Sequence, residues 1–411
     1  MRKEENVNNK KRSCNLIIIG NGFDLLIGLP TRFSNFIDFC MLYNKFVECI
    51  DMPKHGVGTY DFNSKLDEDG VLIISEDLLK NFPCTYGENE KIILKSLINK
   101  IDNSKLIKHC IMLKKDKNYK WKDFEKYLLF LCESFEEYIT NISDLKEINQ
   151  NVNFINTDLK MFIEAMGLNK GCFDFNVSNP YRKVDTSTFL RSSLSNSRME
   201  FVNVIRKELL EFNEIFNIYI KLFICNIPII HNIKPFENDN SNNYIINFNY
   251  TWNEQLLGPA KYNHPHGITI DDNIIIGIDS DDLPIEYICL QKKFLSINNR
   301  IDSFFNIEKD KNYYDLEEWI GECKHIDENN YSVIVIGHSL NSIDDYILKK
   351  IFNNPLLGQV LLYYHSEESK IALLSNICRI MGYDKVERML IGFPHIVRRP
   401  IKDLLYNKGI I

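Results

Sequence analysis

Short runs of mainly apolar residues lie near the start of the chain and again in its second half. The first run occupies residues 16–19 and ends at Gly20. The later runs cover residues 244–248, 273–276, 331–336 and 360–364. Runs of this kind are typical of strands that are buried on both faces, as in parallel sheets. We therefore predict a strand at each of these places.

The chain between the first run and the later ones repeats its apolar positions with a helical period. We predict a helix from Ser34, which can act as its N-cap, to about Ile50. Further helical patterns cover residues 121–138 and 198–226. Residues 168–196 are rich in Gly, Asn, Pro and Ser, which indicates a loop or linker.

Helical patterns return between the late apolar runs, over residues 342–352 and 367–381. Alternation of strands and helices predicts an α/β fold with a parallel sheet. The first strand is separated from the others by a mainly helical insertion. We divide the chain into residues 1–34, with the first strand and glycine loop of the core, 35–240, the insertion, and 241–411, the remainder of the core with its C-terminal strand and helix.

Composition narrows the class of protein. The 411 residues include 49 Lys and Arg against 56 Asp and Glu, and the net charge of −7 argues against broad binding of nucleic acid or anionic membranes. The 11 cysteines are scattered without a CxxC pair, so a zinc ribbon has no support and no metal is expected. No apolar run is long enough to span a bilayer. We expect a cytoplasmic protein with reduced thiols and no membrane contact.

The glycine-rich stretch after the first strand is the first candidate site. Gly20 and Gly22 allow a sharp turn and a close approach of the backbone to a ligand. The amides of residues 20–23 would then form an anion cradle at the carboxyl end of the strand, as in dinucleotide-binding folds. A tight turn that binds nothing explains the same residues.

Two loops in the second half of the chain carry further candidates. Asn247 and Asn249 follow a predicted strand and can hydrogen-bond a ribose or an amide, although asparagine is also a common turn residue. His266 precedes Gly267 in a loop and can act as a base, because the pKa of histidine lies near cytosolic pH. A surface loop without chemistry is the alternative for this histidine.

The stretch at residues 333–341 ends in Gly337, His338 and Ser339 before a predicted helix. It fits a second phosphate-binding turn, with amides of residues 337–339 facing the ligand. It also partly fits the G-x-S-x-G elbow of a serine hydrolase. Asn341 stands where the second glycine of that elbow belongs, which argues against the hydrolase.

Five segments resemble the AbiH proteins of bacterial phage abortive infection. They are GNGFDLLIGLPT at 20–31, WKDFE at 121–125, NFNYT at 247–251, HG at 266–267 and GHSL at 337–340. Their order and spacing match over most of the chain. The resemblance implies an anti-phage role and does not by itself imply a chemistry.

A more distant resemblance is to sirtuins. The matching positions are Gly20, Gly22, Gly28 and Pro30 of the first loop, Asn249, the His266–Gly267 pair, and Gly337, Ser339 and Leu340 of the late loop. The resemblance implies a sirtuin-like Rossmann core that binds NAD. Bacterial defence proteins with sirtuin-like domains often hydrolyse NAD, so it also implies an NAD glycohydrolase.

The chain departs from the sirtuin pattern at three places. Thr251 replaces the aspartate of the NID motif, and Phe33 stands at the arginine position, with Arg32 one place earlier. The four zinc cysteines are absent. These departures argue against protein deacylation and leave nucleotide binding untouched.

We predict an anti-phage effector that hydrolyses NAD, with His266 as the base and Asn249 on the ribose or the attacking water. The predicted NAD-binding residues are Gly20, Asn21, Gly22, Phe23, Asp24, Thr31, Asn247, Gly337, His338 and Ser339. The carboxylates of Asp24 and Asp279 have no single assigned role. Either can stabilise the positive charge that develops on the ribose when the nicotinamide bond breaks, or can cap a helix.

Two other functions stay open. One is a module that senses a nucleotide without cleaving it, and the other is a serine hydrolase that uses Ser339. The expected partners are NAD or a related nucleotide, a phage-derived trigger or partner chain, and further copies of this chain in a homo-oligomer.

Overall fold

One parallel sheet forms the centre of the molecule. The structure is a computed structural model and describes residues 14–405 except 52–60, 83–84, 116–123, 145–156, 169–185, 237–241, 273, 279, 281, 293, 296–315, 327–330 and 393–394. The strands are β1 (Cys14–Ile19), β2 (Asn242–Asn247), β3 (Lys261–Asn263), β4 (Tyr331–Ile336), β5 (Leu357–Tyr364) and β6 (His395–Pro400). All neighbouring strands are parallel, in the order β3-β2-β1-β4-β5-β6.

Helices cover both faces of this sheet. Those before β2 are α1 (Asn21–Leu26), α2 (Phe33–Glu48), α3 (Glu76–Lys80), α4 (Glu88–Asn103), α5 (Lys105–Lys115), α6 (Phe124–Asp144), α7 (Thr157–Met166) and α8 (Thr186–Ile218). Those after it are α9 (Leu316–Ile326), α10 (Asp345–Phe352), α11 (Glu367–Met381) and α12 (Tyr383–Ile391). A π-helical turn, Tyr219–Phe223, continues α8. Among the described helices, none is both long and apolar enough to cross a membrane.

The alternating residues of β1 divide the core in two. Ile17 and Ile19 face the insertion helices and belong to a large cluster that continues through α2, α4, α5, α6 and α8. Leu16 and Ile18 face the opposite side, where they pack with residues of α9, α10 and α11. Successive side chains of a strand point to opposite faces, so this short apolar run is buried on both. The insertion therefore shares one continuous core with the sheet.

The predicted strands at 16–19, 244–248, 331–336 and 360–364 are confirmed, and the one at 273–276 is wrong. Residues 274–276 are buried but form no strand. The amide of Ile275 donates to the carbonyl of His266, and Ile278 pairs with Gln291 in a single isolated bridge. Packing against the insertion explains the apolar run, because Ile274, Ile276 and Ile278 all belong to that core.

Two details of the predicted helices also change. Ser34 is not the cap of α2: the helix begins at Phe33, and the amide of Arg32 donates to Asn35 Oδ1 at 3.1 Å. The loop predicted over residues 168–196 is wrong from residue 186 onward, where α8 begins. Residues 169–185 lie outside the described part of the chain.

The strand order places a crevice next to β1. The order 3-2-1-4-5-6 is that of doubly wound dinucleotide-binding folds, in which ligands bind beyond the carboxyl ends of the strands where the winding reverses. Here the winding reverses between β1 and β4. The turns after these strands, which begin at Gly20 and Gly337, therefore meet at this point.

Candidate functional site

The turns after β1 and β4 touch through their glycines. A Cβ on Gly22 would lie 2.7 Å from Gly337 Cα, and one on Gly337 would lie 2.2 Å from the amide nitrogen of Phe23. Gly337 also has a φ of +66°, which glycine adopts at little cost. The glycines are thus required for the contact between the two loops.

Three of the amides that were predicted to bind phosphate are already bonded within the protein. The amide of Gly20 donates to Ile336 O at 3.1 Å, that of Gly22 to Gly337 O at 2.9 Å, and that of Phe23 to Gly20 O at 2.8 Å. The part of the cradle prediction that involves these three amides is wrong. Within the described residues, the amides of Asn21 and Ser339 have no acceptor, so they stay available to a ligand.

A cavity of about 400 Å³ lies beside these loops, at the carboxyl ends of the strands. The predicted residues that line it are Gly20, Asn21, Asp24, Thr31, Asn249, His266, Gly337, His338 and Ser339. Phe23 and Asn247 are fully buried and lie behind its wall. The fold thus gathers segments from four distant parts of the chain around one space.

Asn247 and Asn249 make different hydrogen bonds and have different roles. Asn247 Nδ2 donates to Thr251 O and to Glu254 Oε2, while its Oδ1 accepts from the amide of Asn249 at 2.8 Å. These bonds fix the turn after β2, so Asn247 has a structural role. Asn249 lines the cavity and donates from Nδ2 to Gly20 O at 3.1 Å, which ties the turn after β2 to the turn after β1.

The carboxylate of Asp344 connects two buried histidines. Its Oδ1 lies 2.8 Å from His266 Nε2, and its Oδ2 lies 3.2 Å from His338 Nε2. Burial raises the pKa of Asp344, but the charges and hydrogen bonds of His266, His338 and Lys292 outweigh burial and hold this pKa well below its usual value. Asp344 is therefore an anion at neutral pH.

A lysine and a glutamate complete this charged cluster. Lys292 is only 1% exposed, and its Nζ lies 2.6 Å from Glu125 Oε2 and 3.4 Å from His266 Nε2. Glu125 belongs to α6 of the insertion and also lines the cavity. The insertion thus supplies a charged residue to the site. The carboxylate of Glu125 stabilises the buried ammonium of Lys292.

Asp24 forms a second polar cluster on the same cavity. Thr251 Oγ1 donates to its carboxylate at 2.7 Å, and Asn253 Nδ2 donates at 3.0 Å. Burial raises the pKa of Asp24 to about 7, although these two hydrogen bonds lower it, and the charge of Glu254 adds to the rise. Asp24 does not cap α1. The other spare carboxylate, Asp279, lies outside the described residues.

The raised pKa of Asp24 predicts a pH-dependent contribution to stability. An unfolded aspartate ionises near pH 3.8, whereas the folded one retains its proton up to about pH 7. Between these values the folded state binds more protons, so this group's contribution to the free energy of unfolding falls as the pH rises and is lost above pH 7.

Asp24→Asn removes this titration. We expect the variant to gain stability relative to the wild type as the pH rises from 4 to 7, by up to about 1.4 kcal/mol per pH unit. Urea denaturation of both proteins at several pH values measures the difference. A difference that is constant with pH would contradict the assignment.

Aromatic side chains of α2, α6 and α8 form one wall of the cavity. Phe33 stacks on Phe124 with ring centroids 4.8 Å apart, and Phe124 stacks on Phe212 at 4.6 Å. Phe216 and Ile220 extend this wall. The lining of the cavity is therefore both polar and aromatic, and the insertion contributes to each through Glu125 and Phe124. Planar rings pack favourably on such aromatic surfaces.

The arrangement around Ser339 does not favour a serine hydrolase. Ser339 is exposed and lines the cavity, but within the described residues no histidine hydrogen-bonds to its Oγ. His338 Nδ1 instead accepts the amide hydrogen of Leu340 at 3.0 Å. A nucleophilic serine requires a base within hydrogen-bond distance.

Sequence reasoning missed Asp344 and Lys292. Asp344 lies in a polar stretch just after the GHSL segment, and its position near that segment was the available signal. Glu125 was noted as the last residue of the WKDFE segment, without a role. Trp121, Lys122 and Asp123 of that segment lie outside the described residues.

The fold and the cavity define a doubly wound α/β protein whose candidate ligand site lies at the switch point of the sheet, under a helical insertion. The family model "Bacteriophage abortive infection AbiH" matches residues 16–364, so the chain belongs to the AbiH family. Membership supports a role in bacterial anti-phage abortive infection. No curated protein and no solved structure matches this chain.

Proposed function

We propose that this AbiH protein acts in abortive infection by hydrolysing NAD to nicotinamide and ADP-ribose. The observation that carries the proposal is that His266, Asn249 and Ser339 line one cavity at the switch point of a doubly wound sheet. That position is where dinucleotides bind in related architectures. The sirtuin resemblance of the same segments supports the choice of NAD.

The reaction requires a base and a site for the sugar. As the nicotinamide–ribose bond breaks, the bonding electrons leave with neutral nicotinamide and positive charge develops on the ribose. Water adds to that carbon, and its proton passes to His266. Asn249, which lines the cavity, would bind the ribose or the water. The carboxylate of Asp24, when ionised, stabilises the positive charge.

The aromatic and the polar residues of the lining suit different parts of the substrate. Phe33 and Phe124 line the cavity and offer apolar contacts to the nicotinamide ring. Asn21 and Ser339 line the cavity, and their amides can donate to phosphate oxygens. Holding the ring and the sugar in fixed positions supplies a large part of the rate enhancement in such reactions.

Purified protein incubated with NAD tests the proposal. We expect nicotinamide and ADP-ribose to form in equal amounts, as measured by liquid chromatography. His266→Ala should lower the rate about 100-fold, because a general base contributes at least that factor. His365→Ala, at an exposed histidine outside the cavity, is the matched control and should retain the wild-type rate. Equal rates for wild type and His266→Ala would exclude this base.

A nucleotide-sensing module without catalysis is the second candidate. Two observations favour it: Thr251 replaces the sirtuin aspartate, and three amides of the glycine turn are bonded within the protein. Calorimetry with NAD and with ADP-ribose distinguishes the two functions. Binding without product formation would favour the sensor.

A further inference from the structure

The pair formed by Asp344 and His266 has a consequence for the chemistry of the imidazole. We propose that Asp344 is a positioning residue that holds His266 in the Nε2–H tautomer, so that Nδ1 is the atom that accepts a proton in the cavity. The proposal deepens the proposed function and rests on it for the identity of the reaction. The position of the proton on the ring is independent of that reaction.

His338 occupies one of the two carboxylate oxygens of Asp344. His338 Nδ1 accepts the amide hydrogen of Leu340 at 3.0 Å, so Nδ1 carries no proton. A neutral imidazole then has its proton on Nε2, which lies 3.2 Å from Asp344 Oδ2. Leu340 has a φ of +55°, a backbone conformation that L-residues rarely adopt. One oxygen of the carboxylate is thereby occupied.

The other oxygen determines the tautomer of His266. Asp344 is ionised and can only accept, and its Oδ1 lies 2.8 Å from His266 Nε2. A proton on Nε2 makes this contact a charge-assisted hydrogen bond, whereas a lone pair there would face the carboxylate without a proton between them. The neutral ring therefore has its proton on Nε2.

The ammonium of Lys292 does not reverse this assignment. It lies 3.4 Å from His266 Nε2, longer than the usual hydrogen bond, and 2.6 Å from Glu125 Oε2. Its short contact is thus with the carboxylate of the insertion.

In this tautomer, Nδ1 of His266 accepts the proton that the reaction releases. Water adds to the ribose carbon that nicotinamide leaves, and its proton moves to Nδ1 of His266. The ring becomes an imidazolium whose Nε2–H remains bonded to Asp344. The carboxylate keeps its charge throughout, as the aspartate of a Ser-His-Asp triad does. Solvent then removes the proton from Nδ1.

Nitrogen-detected NMR of histidine-labelled protein tests the tautomer directly, and His266→Gln assigns the resonances. We expect the wild-type His266 to show a protonated Nε2 and an unprotonated Nδ1. Asp344→Asn should shift the His266 signals toward the Nδ1–H tautomer and lower NAD turnover at least about tenfold. The control Asp345→Asn, at the adjacent carboxylate that pairs with Arg379, should leave the tautomer unchanged.

The outcomes separate this proposal from the proposed function. A wild-type spectrum with the proton on Nδ1 would overturn the positioning role, even if Asp344→Asn does not fold. An unchanged His266 tautomer in Asp344→Asn would also overturn it, whatever the turnover. The expected tautomers in a protein that does not cleave NAD would support the role of Asp344 and contradict only the reaction.

Discussion

Gly337→Ala is expected to destabilise the protein by more than about 4 kcal/mol, a size that is exceptional for a single substitution. Three backbone atoms of the other turn, the nitrogen of Phe23 and the C and Cα of Gly22, lie 2.2 to 2.6 Å from the added Cβ. Real Cβ atoms do not approach backbone this closely, so the turns after β1 and β4 must separate. The hydrogen bond from the Gly22 amide to Gly337 O is then lost.

Two other glycines separate the effect of backbone strain from the effect of the close contact. Gly382 also has a positive φ, +86°, but an added Cβ there has no neighbour within 4 Å. Gly382→Ala should cost about 1–3 kcal/mol, the strain of the backbone alone, because its φ of +86° and ψ of 145° lie in a region almost restricted to glycine. Gly321→Ala, within α9 and also without neighbours, should be neutral or stabilising. Urea denaturation of the three variants measures these terms, and equal losses at Gly337 and Gly382 would show that the close contact is unimportant.

Glu125→Gln is expected to destabilise the protein by about 3 kcal/mol, because it leaves the ammonium of Lys292 buried without its closest carboxylate. The nearby charge of Asp344 keeps the loss from being larger. The double variant Glu125→Gln/Lys292→Met should recover part of the stability, because no unpaired ammonium is left, although Asp344 then loses the nearby charge of Lys292. Thermal unfolding of the two single variants and the double variant completes the cycle.

A surface ion pair of similar length provides the control. Lys261 Nζ lies 2.7 Å from Glu322 Oε2, and both side chains are about one-third exposed. Glu322→Gln should cost less than about 1 kcal/mol, since water screens this pair. Similar losses at Glu125 and Glu322 would show that burial does not strengthen the dependence of Lys292 on its carboxylate.

The central strands could be predicted because local pattern determines them. Residues 16–19 and 333–336 are apolar without interruption, and only a strand covered on both faces buries all of them. The same argument is wrong at 274–276, because a loop packed under the insertion buries an apolar run equally well. The apolar pattern predicts that these residues are buried, but it does not show which part of the chain covers them.

The candidate site was predictable only in part, for the same reason. His266 and Asn249 stood out because of the motifs around them. Asp344 and His266 are 78 positions apart in the sequence, and Glu125 and Lys292 are 167 positions apart. Such pairs are formed by the tertiary fold, and the sequence around one member does not identify the other. The glycines of the first turn were noticed for the correct property, the missing Cβ, but in the structure another loop occupies that space.

The central place of β1 in the sheet has a consequence for synthesis on the ribosome. Its neighbour β2 follows much later, since the paired residues Asn15 and Asn243 are 228 positions apart. At about 5–20 residues per second, translation needs roughly 10–45 s to produce β2, and β4 comes later still. During that time the nascent chain carries an apolar strand with two unpaired edges. Residues 14–19 are therefore the segment on which we expect a ribosome-associated chaperone to act first.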